Sequence, residues 1–554
     1  MTTTDPKATG GAAAGPAGTT ESGDYSHTQI LAILAGLMMG MFLGALDQTI
    51  VSTSIRTIAD DLNGLSIQAW ATTAYLITAT ITTPIYGKLG DLYGRKKLFL
   101  FSISVFIAGS ALCSFAGSMT QLAMFRALQG LGAGGLFTLV LAIIGDLVSP
   151  RERARYTGYF MAMFGTSSVL GPLIGGFFAG QDSILGVTGW RWVFLVNVPI
   201  GLAALVVVTR TLHLQTPKPV GKVRIDWWGA LSLVVALVPV LTVAEQGREW
   251  GWTSGRSLTC YVVGALGLVA FVLAERAMGD AALIPPKLFK IRAAVVTIAA
   301  SVVVGVAMFG GIMLLPLYMQ IVHGASPTES GLLTLPMVGG LMIASIGSGR
   351  IISRTGQVRV FPIIGSSMVV VALVALSFTT ADTSLLWVML AMFVLGLGLG
   401  QCMQPLLLTM QSAVPPSDIG VATSSATFFR QMGGTLGVAV LLSVLFGTVG
   451  ANISTAFADE ADNPEVATAL RDPSFQDTIA GVQDDSSVIE TLDPAVAHPI
   501  KVGFAESMDT VFLIAAGAGV LAFLILLMMP KVELRATSAA AAVRSESGAG
   551  PGPA

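Results

Sequence analysis

Charge is scarce in this chain: Asp, Glu, Lys and Arg are 11% of its 554 residues, against roughly a quarter in soluble domains. With 53% hydrophobic residues and a mean hydropathy of +0.76, a soluble fold is excluded and an integral membrane protein remains. Cysteine is almost lacking. Cys113, Cys260 and Cys402 lie far apart inside apolar runs, a spacing that suits neither a metal site nor a redox pair and leaves packing as their role. No metal-ligand cluster, nucleophile and base pair or soluble signalling domain appears, so no enzyme is expected and a membrane receptor is only a remote reading. A glycine loop of the Walker type is also missing, which removes ATP as an energy source. The net charge of -2 gives no pointer to nucleic acid, which is not an expected partner. The N-terminal residues lack the basic region and cleavage site of a secretory signal, and like Thr537–Ala554 they have an Ala, Gly and Pro-rich composition that cannot bury apolar surface.

What the chain does have is repetition. The segment Gly87-Lys88-Leu89-Gly90-Asp91-Leu92-Tyr93-Gly94-Arg95-Lys96-Lys97 sits between two apolar stretches, and a worn copy runs from Gly349 to Arg359. In the copy Gly349, Ile351 and Gly356 keep the offsets of Gly87, Leu89 and Gly94, Arg350 and Arg359 replace Lys88 and Lys97, and Ser353 stands where Asp91 is. A second echo aligns Phe125–Gly132 with Phe393–Gly400, which makes the apolar Val394 the counterpart of Arg126. Two halves on one plan are the mark of membrane transporters built from repeats.

A hydrocarbon core about 30 Å thick needs about 20 apolar residues per helix. The runs near 30–55, 69–89, 97–117, 120–146, 155–180, 191–211, 227–247, 258–277, 294–322, 329–349, 360–380, 385–409, 422–448 and 507–530 are read as fourteen spans. Lys and Arg cluster in alternate connections, from Lys88 to Lys97, Arg151 to Arg155, Arg210 to Arg224, Arg276 to Arg292 and Arg350 to Arg359, and again at Lys531 and Arg535. By the positive-inside rule these face the cytoplasm, with both termini inside the cytoplasmic (inner) membrane. The expected division is a disordered cytoplasmic tail 1–29, an N-terminal six-helix bundle 30–212, a central two-helix insertion 213–293, a C-terminal six-helix bundle 294–530 and a tail 531–554. Within the second bundle, 451–505 is read as an acidic extracytoplasmic loop that offers a docking surface for an envelope partner. The Ala, Val and Gly bias fits a GC-rich bacterium.

Five motifs carry a resemblance. Gly87–Lys97 looks like the loop 2-3 signature of the major facilitator superfamily. Leu46-Asp47-Gln48-Thr49-Ile50-Val51 resembles the first-helix motif of its fourteen-span drug:proton antiporters, departing afterwards with Ser52 and Arg56 in place of asparagine and proline. Arg126 with Gln129-Gly130-Leu131-Gly132-Ala133-Gly134 resembles the proton-coupling motif. Gly171-Pro172-Leu173-Ile174-Gly175-Gly176 resembles the antiporter motif, and Trp190–Pro199 matches the entry to span 6. The resemblance covers about residues 30 to 530. It implies an all-α integral membrane protein of the major facilitator fold, two pseudo-symmetric six-helix bundles plus two inserted helices. It also implies a proton gradient in place of any cofactor, and a small amphipathic cargo as partner alongside protons and the bilayer. A dedicated exporter of one endogenous metabolite, peptide or lipid is the alternative.

Embedded charge costs roughly 2.5 to 3.5 kcal/mol per residue at the bilayer centre, so Asp47, Arg126 and Arg430 stand out. Asp47 lies three residues beyond a stripe of Gly36, Gly40 and Gly44 that lets a neighbour approach. It is the candidate proton carrier, with a fixed ion pair to Arg126 as the competing reading; Arg126 is alternatively an anion contact. Gly87, Asp91, Gly94, Arg95 and Asp146 form a candidate conformational latch, with Asp91 at the N-terminal end of a helix in the other bundle and Arg95 bridging to Asp146. Gly171 and Pro172 kink span 5, where Gly175 and Gly176 favour close packing. The candidate cargo cavity combines Met41, Phe42, Tyr75, Gln129 and Phe164 from the first half with Phe309, Tyr318, Gln401, Gln404, Phe428 and Arg430 from the second.

Overall fold

Backbone groups that meet hydrocarbon must be satisfied within their own segment, and the long apolar runs accordingly form helices. The computed structural model describes residues 27–62, 69–148, 150–212, 226–415, 418–461, 463–469, 489 and 492–532. The expected tails, except for their innermost residues, and the middle of the acidic segment lie outside the described residues. The first group of helices comprises α1 (His27–Asp61), α2 (Ala69–Tyr93), α3 (Arg95–Ser114), α4 (Met119–Leu147), α5 (Pro150–Ala179), the short α6 (Trp192–Leu195) and α7 (Asn197–Thr211). A hairpin of α8 (Trp227–Trp250) and α9 (Gly255–Met278) follows. The second group comprises α10 (Arg292–Ile321), α11 (Pro327–Leu333), α12 (Leu335–Thr355), α13 (Val360–Leu376), α14 (Leu385–Ser412), α15 (Ile419–Asp459), α16 (Pro464–Ala469) and α17 (Pro494–Leu527).

Among the described residues eleven helical stretches are long and apolar enough to cross a membrane. The count of fourteen is not reached on those grounds. The other three expected spans are helical but fall short: α2 is interrupted by threonines, Lys88 and Asp91, α5 is apolar only over Gly165–Ala179, and α13 has 17 residues. The α8–α9 hairpin sits at the periphery. Leu258, Val262, Leu266, Val269 and Leu273 of α9 are exposed, an apolar face suited to lipid.

Glycines set the two bundles. In α4, Gly130 and Gly134 let α2 approach at Tyr75 and Ala79, while Gly132 seats on Ser102 and Phe106 of α3. In α14, Gly396 and Gly400 meet Met337 and Leu341 of α12, and Gly398 meets Gly365 of α13. The structural repeat therefore pairs Gly130, Gly132 and Gly134 with Gly396, Gly398 and Gly400. That is two residues away from the register read in the sequence, where Gly-x-Gly repetition hides the slip. The counterpart of Arg126 becomes Met392, fully buried, in place of Val394. The other echo keeps its register: Gly94 (φ 95°) and Gly356 (φ 72°) both take the left-handed backbone that turns one helix into the next. The glycine stripe of α1 admits three neighbours rather than one, with Gly36 against Val208 of α7, Gly40 against Phe99 of α3 and Gly44 against Phe137 of α4.

The segment read as a loop from 451 to 505 is helical at both ends. The 41 residues of α15 make a rod about 60 Å long, twice the hydrocarbon thickness. Its last turns bury Ile453, Ala456 and Phe457 against α17, whose Gly503 seats on Ile453. Asn452 Nδ2 donates to Ser507 Oγ (2.8 Å), and His498 Nδ1 lies 2.7 Å from Glu460 Oε1.

Candidate transport site and conformational latch

Asp47 is fully buried, and the residues that surround it come from four helices. Arg126 Nη1 of α4 lies 2.5 Å from Asp47 Oδ2. Gln129 Nε2 donates to Asp47 Oδ1 at 2.8 Å, and Asn197 Nδ2 of α7 donates to the same oxygen at 3.0 Å. Arg126 also donates to Gln129 Oε1 (2.7 Å) and to the Ala71 carbonyl (3.2 Å), and its guanidinium lies 4.1 Å from the Tyr75 ring centre. Asn197 is held in turn by Ser110, whose hydroxyl donates to the Phe194 carbonyl. Asn197 opens α7 just after the break that ends α6, so its side chain points inward from a helix start. Sequence reading quoted Asn197 only within a motif. The signal that could have found it is a lone amide in an apolar run, opposite an acid that needs donors.

This geometry is the sealed ion pair. Tyr75 and Gln129, assigned to the cargo cavity from the sequence, belong to the network instead and are 1% and 0% exposed. The Gln129 amide is spent on Arg126 and Asp47, and the Tyr75 ring on Arg126. A buried pair of this kind is weak support for stability, because desolvating two charges offsets most of their attraction. Breaking it by removing one partner leaves a bare charge, at about 3 to 5 kcal/mol.

The latch residues converge as expected in space. Asp91 Oδ1 pairs with Arg95 at 2.7 Å, Arg95 pairs with Asp146 at 2.6 Å and donates to the Ala142 carbonyl. Across the seam, Asp91 Oδ2 accepts the Val421 amide at 3.0 Å, at the N-terminus of α15. A carboxylate there meets free N–H groups and the positive end of the helix dipole. A Cβ on Gly87 would overlap Ser424, and one on Gly420 would overlap the Asp91 carboxylate, so both positions require glycine for the approach. In the second half Ser353 is half-buried and its hydroxyl donates to the Arg350 carbonyl of its own turn.

Sequence reading missed a further clasp on this end. Lys88 Nζ donates to the Asp280 carbonyl (2.7 Å), and Lys287 reaches Asp418 at 2.8 Å and Asp280 at 3.2 Å. Partial burial works against the Lys287 charge, but the hydrogen bonds to Asp418 and Asp280 outweigh it and hold its ammonium above the ordinary lysine range. The connection from α9 to α10 is thereby tied both to α2 and to the entry of α15.

A second seam joins α5 to α12. Gly171 and Gly175 face α1, at Thr49 and Thr53, and Ser54 donates to the Gly175 carbonyl. Pro172 lies against Gly331, and Gly165 against Val338 of α12. Gly176 is exposed. The remaining cavity candidates scatter. Met41 is buried in the first bundle's core and Phe42 is half-buried. Phe309 packs on Gly434, and Gln404 is buried. Phe428 is buried in an apolar cluster shared by α2, α8, α14 and α15. The Phe164 side chain lies outside the described residues. Tyr318 donates to the Thr380 carbonyl and packs against Phe512, and Gln401 donates to Met368 of α13, so both are engaged within the second bundle. Arg430 is half-buried on α15, beside the Gln431 that accepts a hydrogen bond from Thr83 across the first seam (3.3 Å). Its guanidinium has no ion-pair or hydrogen-bond partner among the described residues.

Two helical bundles joined along two seams, with a charged network sealed inside one and a carboxylate cap between them, define a multi-pass membrane transporter. The chain belongs to the major facilitator superfamily, whose family model matches residues 37–438. It is 37% identical over 416 residues to the multidrug transporter protein MdtP of Bacillus subtilis (strain 168), covering 74% of this chain and 75% of that one. It is 32% identical over 517 residues to multidrug resistance protein 3 of the same organism, covering 91% and 96%. An uncharacterized MFS-type transporter of Mycobacterium tuberculosis (strain ATCC 25618 / H37Rv), Rv1877, is 36% identical over 505 residues, covering 91% and 70%. Among solved structures the proton:xylose symporter XylE shares the fold, with a TM-score of 0.58 at 14% identity over 94% of this chain and all of that one.

Proposed function

We propose that the protein is a proton-coupled antiporter that exports drugs or other amphipathic small molecules across the bacterial cytoplasmic membrane by alternating access. On this reading both termini and the latch end face the cytoplasm. The relatives named as multidrug transporters support the cargo class. The observation that carries the coupling is the sealed Asp47–Arg126 pair, a costly device that folding alone does not require. While the pair is ionised the first bundle is locked. A proton reaching Asp47 cancels its charge, and Arg126 is then a buried cation without a counter-charge, which favours rearrangement towards a state in which it finds another partner. Asp47 is the proton carrier, Arg126 its partner, and Gln129 and Asn197 orient the carboxylate. The unpaired Arg430, near the first seam, is suited to an acidic or strongly polar group on the cargo.

The test is dye or drug export in inverted membrane vesicles. Asp47→Asn at normal membrane abundance is expected to abolish proton-driven export while cargo binding survives. Undiminished proton-driven export by that variant would remove Asp47 from the coupling.

A further inference from the structure

The second bundle holds a carboxylate that no motif marks. Asp509 lies on α17, and its Oδ1 is buried without a hydrogen-bond partner among the described residues. Three residues further along α17, Phe512 stacks against Tyr318 of α10 with ring centres 6.5 Å apart. Tyr318 is itself fully buried, lies within electrostatic reach of Asp509, and stacks edge-on against His323 at 5.4 Å. His323 follows the end of α10, and its Nε2 is likewise buried with no partner among the described residues. Two half-buried titratable side chains, each with one buried atom that lacks a partner among the described residues, thus lie about one aromatic ring, at the end of the bundle opposite the latch.

An ionised carboxylate oxygen shielded from solvent and given no donor is costly, and a buried imidazole nitrogen without a partner adds to the cost. Such a site is relieved by taking up a cation. A metal ion needs several oxygen ligands, and no cluster of metal-ligating side chains occurs among the described residues. A proton needs one. The charged or titratable groups near this site are few: Glu506 bears on Asp509 from its own helix, Tyr318 lies on α10, and Lys501 bears on His323. Helix α13 contributes none, and the Glu460 of α15 is engaged with His498.

We propose that Asp509, which shares the Tyr318 ring with His323, is a second proton-binding station, in the C-terminal bundle at the outer side. It rests on the proposed proton-coupled reading, and takes up protons from the external side before they are exchanged for cargo. Asp509 binds the proton, and His323 is a positioning residue that acts on it across the Tyr318 ring. Two measurements test this. First, proton uptake by the purified, cargo-free protein during a pH jump is expected to fall by about one proton per chain in Asp509→Asn; uptake equal to wild type would overturn the proposal whatever the protein transports. Second, export into inverted vesicles is measured as lumenal pH is varied. Wild type is expected to accelerate as the lumen is acidified, Asp509→Asn to lose that limb, Asp509→Glu to keep it, and His323→Gln to shift its midpoint. An unchanged lumenal profile in Asp509→Asn would overturn the station. If wild-type export ignores lumenal pH altogether, the proton-coupled reading fails instead, and the pH-jump result alone decides whether Asp509 binds a proton. Should Asp509→Asn fail to accumulate, His323→Gln carries both tests, with an unshifted profile counting against the proposal.

Discussion

Replacing Asp91 by Asn tests the latch with almost no change of shape. Two contacts of the carboxylate are relevant, and only one discriminates between closed and open states. The ion pair to Arg95 joins residues four apart at the α2–α3 corner and moves with that corner, so it contributes equally to both. The hydrogen bond from Val421 at 3.0 Å crosses the seam and exists only when the seam is shut. Hydrogen bonds to charged groups contribute about 1.5 to 3 kcal/mol and neutral ones about 0.5 to 1.5. The charge at the helix N-terminus adds about 0.3 to 1 kcal/mol, or up to about 2 when partly buried. Asn retains the neutral part and loses the rest, so the closed state should lose about 1 to 3 kcal/mol relative to the open one. That corresponds to a shift of roughly 5- to 150-fold in the opening equilibrium. Thr83 is fully buried on this seam and contacts Gln431, and Cys113 and Cys402 are buried. In a Thr83→Cys, Cys260→Ser background, Asp91→Asn should raise the rate of labelling by a membrane-impermeant maleimide by that factor. A rise of less than about twofold would refute the argument, because it would mean that the bond across the seam does not hold it shut.

Three other outcomes are expected. In a double-mutant cycle on denaturation of the purified protein, Asp47→Asn and Arg126→Met should each cost about 3 to 5 kcal/mol and the double variant less than either; additive costs would mean the pair is uncoupled. Asn197→Ala removes one donor from Asp47 and one from Ser110, which keeps its own bond to the Phe194 carbonyl, at about 1 to 3 kcal/mol of stability, measured in the same assay; no loss would mean that Asn197 does not hold the carboxylate. Replacing residues 470–488 with a short Gly-Ser linker should leave export unchanged, because the helical ends of that connection are held by their own apolar contacts. Loss of export in inverted vesicles would give the acidic segment a direct part in transport.

Much of the latch was legible in the sequence because its parts are local. Gly94 and Gly356 announce a left-handed turn wherever they occur, and a carboxylate one helical turn before an arginine has few other partners. Where Tyr75, Gln129, Tyr318 and Gln401 point was not legible, for a different reason. In a helix that is apolar all round, nothing in composition says which face meets a neighbour, and the rotation about the axis is settled by glycine contacts from other elements. The end of α15 was missed through composition: Ala451–Asp459 is rich in small and polar residues and reads as a loop. The spacing of Leu445, Val449, Ile453, Ala456 and Phe457, all buried, is nevertheless that of one continuous helical stripe.

That unbroken α15 has a mechanical meaning. Its first turn receives the Asp91 cap, Arg430 and the Thr83 contact follow about three turns on, and its last turns dock on α17. A stiff rod transmits tilt along its whole length, so a small swing at the capped end becomes a displacement of the tip. An antibody fragment or nanobody gripping the α15–α17 tip would therefore act on the opposite face of the membrane as a remote brake. Its affinity would in turn report whether the cap is engaged, since coupling between the two ends is reciprocal.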